Sequence, residues 1–195
     1  MKEIPIVPLW RQPLARTLYK THKKPESRYF QLATACESLG IANRTVVFRG
    51  FDESSRVLVI TDTRTAKWSA LKKDPKAAIC WYFTDTREQY RLSGKATLVA
   101  HDSEEHNALL TRYWHDLSNA AKCQFLWGTP GERRDDGNSL RVSAETIPDL
   151  PPSHFCLLAI DINHADYLNL RGDPQQRIRY TLNRQKQWRA IDIIP

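Results

Sequence analysis

The 195-residue sequence lacks the short motifs that mark several large classes of protein. It contains no GxGxxG, GxxxxGKS/T, HExxH or GxSxG, so a dinucleotide-binding Rossmann fold, a P-loop, a zincin and a hydrolase elbow all lose their usual support. Its apolar runs are too short to span a bilayer, and the N-terminus lacks the apolar core of a signal peptide. We therefore expect a soluble, cytoplasmic protein with no membrane partner.

The sequence also lacks a CxxC pair and any other close pairing of metal ligands. Three of its four widely spaced cysteines lie in strand-like apolar runs, which favours buried free thiols over disulfides. The four are Cys36, Cys80, Cys123 and Cys156. His101 and His106 flank acidic residues, but their spacing does not place both on one helical face. We therefore predict no metal site.

A formal net charge of +7 is compatible with nucleic acid, a membrane surface or an acidic small ligand as partner. The basic residues are dispersed along the chain rather than gathered into one run. This dispersion disfavours sequence-specific nucleic-acid binding, so we expect no nucleic-acid partner.

The content of 41% hydrophobic and 26% charged residues is typical of a globular protein, and the length fits a single domain over residues 1–195. Within it, the proline-containing segment 1–28 predicts an N-terminal helical clasp with a helix over residues 10–22. Strand patterns follow at 29–37, 42–49, 56–61, 77–84, 89–100, 155–162, 165–170, 177–182 and 187–193. Many hairpin-linked strands with few helices predict an α+β, mainly β fold: an antiparallel barrel with peripheral helices.

Capping and turn residues set the expected boundaries of the connecting segments. Asp62 or Thr63 is expected to cap a helix that ends before Pro75, and Asp102 with Glu105 forms the pattern of a capping box for a long helix. Gly94 suggests a β-bulge within its strand. A short helix is expected over 120–125, and the segments 132–139 and 147–153 are expected to be irregular loops.

The stretch from Ala42 to Lys67, ANRTVVFRGFDESSRVLVITDTRTAK, is the clearest candidate for a binding site. Strand alternation puts Arg44 on one face with Val46 and Phe48, and a charge among apolar side chains needs a partner. The strand pattern at 56–61 leads into the expected start of a helix, where three threonine hydroxyls precede Lys67. Free amides, hydroxyls and cations at a helix N-terminus suit a phosphate group, although an ordinary cap beside a solvated basic face gives the same pattern.

Two further features of the sequence, a group of three residues and a single glutamine, leave a structural and a functional interpretation open. Tyr113, Trp114 and His115 form a polar-tipped aromatic group on the long helix, which fits either core packing or contact with a substrate. Gln89 opens a strand just after a turn, where hydrogen bonding at a sheet edge is as plausible as ligand recognition.

These residues together resemble the pyridoxamine 5'-phosphate oxidase family of FMN-binding split barrels, particularly its uncharacterised oxidase-related branch. The resemblance includes the stretch from Ala42 to Lys67, Asp74-Pro75, the strand ICWYF, Arg87-Glu88-Gln89 with Gly94, and the closing RIRYTLNRQKQWRAIDIIP. It runs from about Tyr29 to the C-terminus with a gap after Arg134, and it implies a split barrel that binds FMN as a homodimer.

The resemblance also implies roles for individual residues. The family's strand along the flavin reads RTVVFR here, its phosphate-binding residues match a threonine and a lysine, and a late arginine contacts the FMN of the partner subunit. The implied FMN-binding residues are Arg44, Thr45, Val46, Val47, Arg49, Ile60, Thr61, Thr65, Lys67, Gln89 and Arg177. Tyr113 and Arg133 are the candidate substrate residues. No catalytic residue is assigned.

The sequence departs from the family at positions that matter for the substrate. Leu117 stands where the family has a helix arginine, and Asp173 and Gln175 replace its Arg-x-His motif. Ala66 and Leu168 replace an arginine and a tryptophan at the flavin. We therefore expect an FMN-dependent oxidoreductase that acts on an unidentified small molecule. An authentic pyridoxamine or pyridoxine 5'-phosphate oxidase, or a non-enzymatic flavin or haem binding protein, is the alternative.

Overall fold

The computed structural model describes residues 7–134, 140 and 142–195. Its strands are β1 (Tyr29–Cys36), β2 (Gly40–Phe51), β3 (Val57–Asp62), β4 (Lys76–Phe83), β5 (Glu88–Val99), β6 (Phe155–Asn169), β7 (Gln176–Leu182) and β8 (Trp188–Asp192). Its helices are α1 (Arg11–Lys20), α2 (Ala66–Lys73), α3 (Glu104–His115) and α4 (Asn119–Phe125), with short 3-10 turns at Pro25–Arg28 and Ala144–Thr146.

The strands form a closed antiparallel barrel. Neighbours follow the order β3-β2-β1-β4-β5-β6, and β6 then pairs with β3, so six strands close the ring while β7 and β8 extend the sheet beyond β6. Closure removes the free edges that would otherwise need protection. The prediction of a mainly β antiparallel barrel with peripheral helices is confirmed.

The core has two parts because β3 is covered on both of its faces. Val57 and Val59 point into the barrel interior, whereas Leu58 packs in a second apolar cluster beneath α3 that includes Trp114 and Phe155. This double burial explains why the β3 sequence is almost continuously aliphatic instead of alternating with polar residues.

Helix α1 packs on the barrel through its apolar side. Trp10 and Leu14 are fully buried, and the Trp10 ring lies 6.1 Å from Phe51 and 6.4 Å from Trp188. The Thr17 hydroxyl adds a buried hydrogen bond of 2.9 Å with the Tyr90 hydroxyl. These contacts anchor α1 to the barrel.

The expected break between strands 155–162 and 165–170 is wrong, because β6 is one continuous strand of 15 residues. Its register against β5 steps from Gly94 opposite Ile162 to Ser93 opposite His164, which leaves Asn163 as an extra residue. The expected irregularity at Gly94 is thus present, but the additional residue belongs to the partner strand. The polar pair Asn163-His164 marks a bulge rather than a turn.

Both expected helix caps are one to three residues from the observed ones. The N-cap of α2 is Thr65, since Asp62 is used instead to accept from the Arg64 backbone N–H at 2.7 Å. The N-cap of α3 is Ser103, whose hydroxyl accepts from the His106 backbone N–H at 3.1 Å. Adjacent polar residues compete for the same amides, and packing decides between them.

The connecting segments are irregular where they are described. Residues 147–153 form no helix or strand, as expected. Residues 132–134 also form none, and the rest of that expected loop, 135–139, lies outside the described residues. Within the part of the chain that the structure describes, no helix combines the length and the apolar character needed to cross a membrane.

The close approach of the β5 and β6 backbones at the bulge predicts that a side chain at Gly94 destabilises the fold. A Cβ atom at this position would lie 1.9 Å from the Asp161 carbonyl oxygen, so Gly94→Ala forces the β6 backbone to move. We expect the free energy of unfolding to fall by about 1–3 kcal/mol or more, measured by urea denaturation. Gly128→Ala is the matched control, because nothing lies within 4 Å of its Cβ position. Equal stability of the two variants would contradict the bulge geometry.

Candidate functional site

The end of β3 and the start of α2 border a cavity of about 310 Å³, which we call the β2–β3 cleft. Polar and charged residues contributed by two neighbouring strands and a helix start face apolar residues of α4 and its flanks. The lining consists of Arg44, Thr45, Val46, Val47, Arg49, Ile60, Thr61, Asp62, Thr65, Lys67, Leu117, Ala121, Gln124, Phe125 and Pro130.

Two cations in the cleft are held by neutral oxygen atoms. The Lys67 ammonium donates to the Thr61 hydroxyl at 2.9 Å, and the Arg44 guanidinium donates to the Leu32 carbonyl at 3.1 Å and the Thr34 hydroxyl at 2.8 Å. Within the described residues, neither cation forms an ion pair with a carboxylate. Burial lowers the pKa of Lys67, and the positive charge of Arg44 lowers it further. A negative charge placed here would therefore be stabilised.

The start of α2 adds neutral donors to the cations. Thr65 is the N-cap, and its hydroxyl donates to the Asp62 carbonyl at 2.7 Å rather than accepting from a helix amide. The first amides of an α-helix have no carbonyl partner within the helix, and they carry its partial positive charge. This geometry supports the interpretation of the segment as an anion site.

Among the described residues, Asp62 is the one carboxylate that lines the cleft, and its own neighbour neutralises it. Asp62 is 6% exposed and is paired with the Arg64 guanidinium at 2.7 Å. Burial alone would raise the pKa of Asp62, but the hydrogen bonds and charge of Arg64 lower it overall. The Asp62 charge is thus compensated mainly by Arg64, and Asp62 forms no ion pair with Arg44 or Lys67.

Arg64 and His154 also fix the wall of the cleft formed by the C-terminal end of α4. Arg64 donates to the carbonyls of Phe125 and Trp127 at 3.4 Å, and a His154 ring nitrogen lies 2.6 Å from the Phe125 carbonyl. These contacts tie the chain after α4 to the end of β3. They keep Phe125 against the cleft.

A second cavity of about 310 Å³ adjoins the first, and we call it the arginine cavity. It shares Arg49, Ile60 and Leu117 with the β2–β3 cleft. Its lining consists of Arg28, Phe48, Arg49, Gly50, Ile60, Tyr113, Asp116 and Leu117. Tyr113, the candidate substrate residue, therefore lies beside the cleft, whereas Arg133 is exposed and lines neither cavity.

Gln89 and Arg177 lie elsewhere, on the outer face of the barrel. Gln89 of β5 is paired with Leu168 of β6, which is paired in turn with Arg177 of β7. Residues directly opposite one another on adjacent strands share a face of the sheet, so these three form one row. Neither Gln89 nor Arg177 lines the β2–β3 cleft of its own chain.

A buried carboxylate holds this row of the outer face in order. Asp166 is 4% exposed and accepts from the Arg177 guanidinium through both oxygens, at 2.9 and 3.0 Å, and from Arg91 at 3.0 Å. Burial alone would raise the pKa of Asp166, but the two arginines lower it overall. The cluster of Asp166, Arg91 and Arg177 borders an outer cavity of about 440 Å³.

The structure brings together nine of the eleven residues assigned to FMN from the sequence, because these nine all line the β2–β3 cleft.

Sequence reasoning missed Arg28, Arg64, His154 and Asp166. Only Asp166 carried a local signal: a carboxylate in a strand that is otherwise buried needs a cationic partner. Arg64 pairs with Asp62 two residues away, but its contacts with the carbonyls after α4, like those of Arg28 and His154, join distant segments. Within the described residues, no group of three or more His, Cys, Asp or Glu side chains could hold a metal ion.

Comparison with known proteins gives the family. A curated protein from Arabidopsis thaliana, pyridoxine/pyridoxamine 5'-phosphate oxidase 2, is 33% identical over 193 residues, which cover 95% of this chain and 96% of the relative. The chain belongs to the pyridoxamine 5'-phosphate oxidase-like, FMN-binding family. Residues 7–100 also match the family model described as pyridoxamine 5'-phosphate oxidase, FMN-binding domain. The family relationship thus includes the N-terminal helix, which lies outside the region of resemblance that the sequence suggested.

Two solved structures share this fold. A pyridoxamine 5'-phosphate oxidase-related, FMN-binding protein from Nostoc punctiforme is 39% identical with a TM-score of 0.88, covering 97% of this chain and 100% of that one. PhzG from Burkholderia lata, solved with tetrahydrophenazine-1-carboxylic acid, is 22% identical with a TM-score of 0.79, covering 94% of this chain and 91% of that one. The second likeness shows the fold alone.

Proposed function

We propose that the β2–β3 cleft binds FMN and that the protein is an FMN-dependent oxidoreductase. The observation that carries this proposal is the pair of cations, Arg44 and Lys67, which line the cleft without an ion-pair partner in the described part of the chain. A phosphate group would supply the missing negative charge. Thr61, Thr65 and the first amides of α2 would complete its coordination.

A second observation tests whether the cleft suits the flavin itself. The Nε atom of Arg49 is buried and has no hydrogen-bond partner among the described residues. An unpaired buried donor is costly, and a ligand with acceptor atoms along β2 would satisfy it. When bound, FMN would accept a hydride equivalent from a reduced small molecule and pass the electrons to oxygen or another acceptor.

Lys67→Ala tests the assignment of the phosphate. The change removes a charge-assisted hydrogen bond worth about 1.5–3 kcal/mol, so the dissociation constant for FMN should rise about 10- to 150-fold. Titration of the apoprotein with FMN, followed by flavin fluorescence, measures this. Lys72→Ala is the control, because Lys72 lies on the same helix with its ammonium near Trp68 and outside the cleft.

Equal affinity of Lys67→Ala and the parent protein would show that the phosphate is bound elsewhere. The absorption spectrum of the purified protein distinguishes flavin from haem, the cofactor of the non-enzymatic alternative. A haem spectrum, or binding of FAD in preference to FMN, would contradict the proposal.

We also propose that the protein is a homodimer in which each subunit completes the flavin site of the other. Gln89 and Arg177 occupy the outer face and do not reach the cleft of their own chain. If they contact FMN, as the family resemblance implies, that FMN belongs to another copy. The same face carries an apolar depression with small side chains at Ala33, Ala35 and Ala78, beside Ile41, which is 70% exposed. Such a face suits a second subunit.

Ala78→Arg tests the dimer. Ala78 is exposed and borders two depressions of the outer face, so an arginine there would place an unpaired charge in the interface. We expect the dimer dissociation constant to rise at least about tenfold and FMN retention to fall with it. Analytical ultracentrifugation with absorbance detection of flavin measures both. Ala144→Arg, at an exposed alanine of a 3-10 turn, is the control.

A monomeric parent protein that holds FMN stoichiometrically would rule out this arrangement, as would an Ala78→Arg dimer as tight as the parent.

The identity of the substrate separates the proposed function from its alternative. The Arabidopsis relative bears the name of a pyridoxine/pyridoxamine 5'-phosphate oxidase, which keeps that activity as the alternative function. Against it stands Leu117, which is 6% exposed and borders both cavities, at the position where the family has a cation for the substrate phosphate. Asp173 and Gln175, in place of the Arg-x-His motif, are exposed and offer no cation.

We predict that pyridoxamine 5'-phosphate and pyridoxine 5'-phosphate are poor substrates. A dianionic phosphate without its bidentate arginine loses several kcal/mol, so kcat/KM should lie well below about 10⁴ M⁻¹s⁻¹. Steady-state oxidation of both compounds by the FMN-loaded protein measures it. Leu117→Arg should raise kcat/KM for these compounds, with circular dichroism as a check on folding. A parent value at or above that range would establish the alternative function.

A further inference from the structure

Strand β4 exposes one aromatic side chain on the outer face of the barrel. Strand alternation turns Tyr82 outward, whereas its neighbours Trp81 and Phe83 are buried in the core. Tyr82 is 43% exposed and lines neither the β2–β3 cleft nor the arginine cavity of its own chain. The packing of this chain therefore leaves a large aromatic surface uncovered.

Tyr82 belongs to the row of side chains that the outer face presents. It is paired with Gln89 of β5, and so it adds a fourth member to the row of Gln89, Leu168 and Arg177. Neighbouring strands lie about 4.8 Å apart, so the backbones of Tyr82 and Arg177, three strands apart, are about 14 Å from each other. Two long side chains and one tricyclic ring system together span this distance.

The four side chains offer different contacts to one planar ligand. Gln89 supplies an amide that both donates and accepts, and Arg177 supplies a cation that Asp166 holds at 2.9 and 3.0 Å. Leu168 is aliphatic, so Tyr82 is the one aromatic ring of the row. An isoalloxazine has apolar faces and an edge of hydrogen-bonding atoms. A row that combines a ring, an amide and a cation suits this mixed character.

We infer that Tyr82 contacts the ring system of the FMN bound by the partner subunit, beside Gln89. This inference rests on the proposed function, because it assumes FMN in the β2–β3 cleft and a homodimer that brings the outer face of one chain to the cleft of the other. It adds a residue of β4 to the flavin site. The aromatic contact that the family places at the position of Leu168 is then supplied from a different strand.

Flavin fluorescence tests the contact, because an electron-rich phenol ring that touches an excited flavin quenches its emission. FMN bound to Tyr82→Leu should fluoresce more strongly than FMN bound to the parent, and Tyr82→Trp should restore the quenching. The dissociation constant for FMN should rise about 2- to 10-fold in Tyr82→Leu, because the ring contact is lost. Tyr19→Leu is the matched control, since Tyr19 is 78% exposed on α1 and lines neither cavity.

A mixed dimer shows whether the contact crosses the interface. Lys67→Ala and Tyr82→Leu subunits are co-expressed with different affinity tags, and FMN is added at a concentration that fills only the intact cleft. That cleft belongs to the Tyr82→Leu subunit, whereas the Lys67→Ala subunit supplies Tyr82. We expect quenched flavin in this dimer. Unquenched flavin would place Tyr82 at the flavin of its own chain and overturn the inference.

The remaining outcomes separate this inference from the proposed function. Equal fluorescence of FMN on the parent and on Tyr82→Leu would refute the inference and leave the proposed function intact. Failure of the parent to bind FMN would refute both. Circular dichroism and sedimentation check the fold and the dimer of each variant. Tyr82→Phe, which keeps the shape of the ring but donates electrons far more weakly, gives the same comparison where the leucine variant does not form a dimer.

Discussion

The backbone ladder between β3 and β6 is the interaction on which the rest of this molecule depends. It closes the barrel and runs to the last residue of β3, where Asp62 pairs with Phe155. Because α2 starts four residues later, closure fixes the helix start against the side of the barrel. Lys67 can then reach the Thr61 hydroxyl, and Arg44 of the neighbouring strand lines the same cleft. The backbone hydrogen bonds between β3 and β6 thus hold the end of β3 and the start of α2 in the positions that bring Lys67 close to Thr61.

Closure also concentrates positive charge at one end of the barrel. Arg28, Arg49, Arg44 and Lys67 line two adjoining cavities, and the positive charge of each pair lowers the pKa of one of its members. Burying cations such as Arg49 and Lys67 near other positive charges costs free energy, and an anionic ligand offsets that cost on binding. Such a ligand stabilises the folded state in proportion to its affinity. Binding of the proposed anionic cofactor would therefore stabilise the folded protein.

The barrel wall separates two groups of polar residues that lie on opposite faces of the sheet. The β2–β3 cleft carries Arg44 of β2 and Lys67 of α2, whereas the outer face presents Gln89, Leu168 and Arg177 in one row across three strands. Asp166 orients Arg177 with two hydrogen bonds and so keeps this long side chain in one conformation. A preorganised arginine loses less entropy on meeting an anion, which is consistent with the role of Arg177 in the proposed homodimer.

Most of the fold and the core of the site could be predicted from the sequence, because both rest on short-range patterns. Alternation along β1, β4 and β5, the apolar run of β3 and the threonine-rich start of α2 lie within segments whose geometry is set locally. Arg44, Thr61, Thr65 and Lys67 come from two adjacent strands and the helix that follows, so their proximity follows from one hairpin and one turn. Only the tertiary structure decided the continuity of β6, the caps of α2 and α3, and the contacts of Arg28 and Asp166. A bulge, a choice between neighbouring caps, and a charge placed by strand register all depend on partners distant in the chain. The sequence of one segment carries no energy term for a partner it meets only after the barrel has closed.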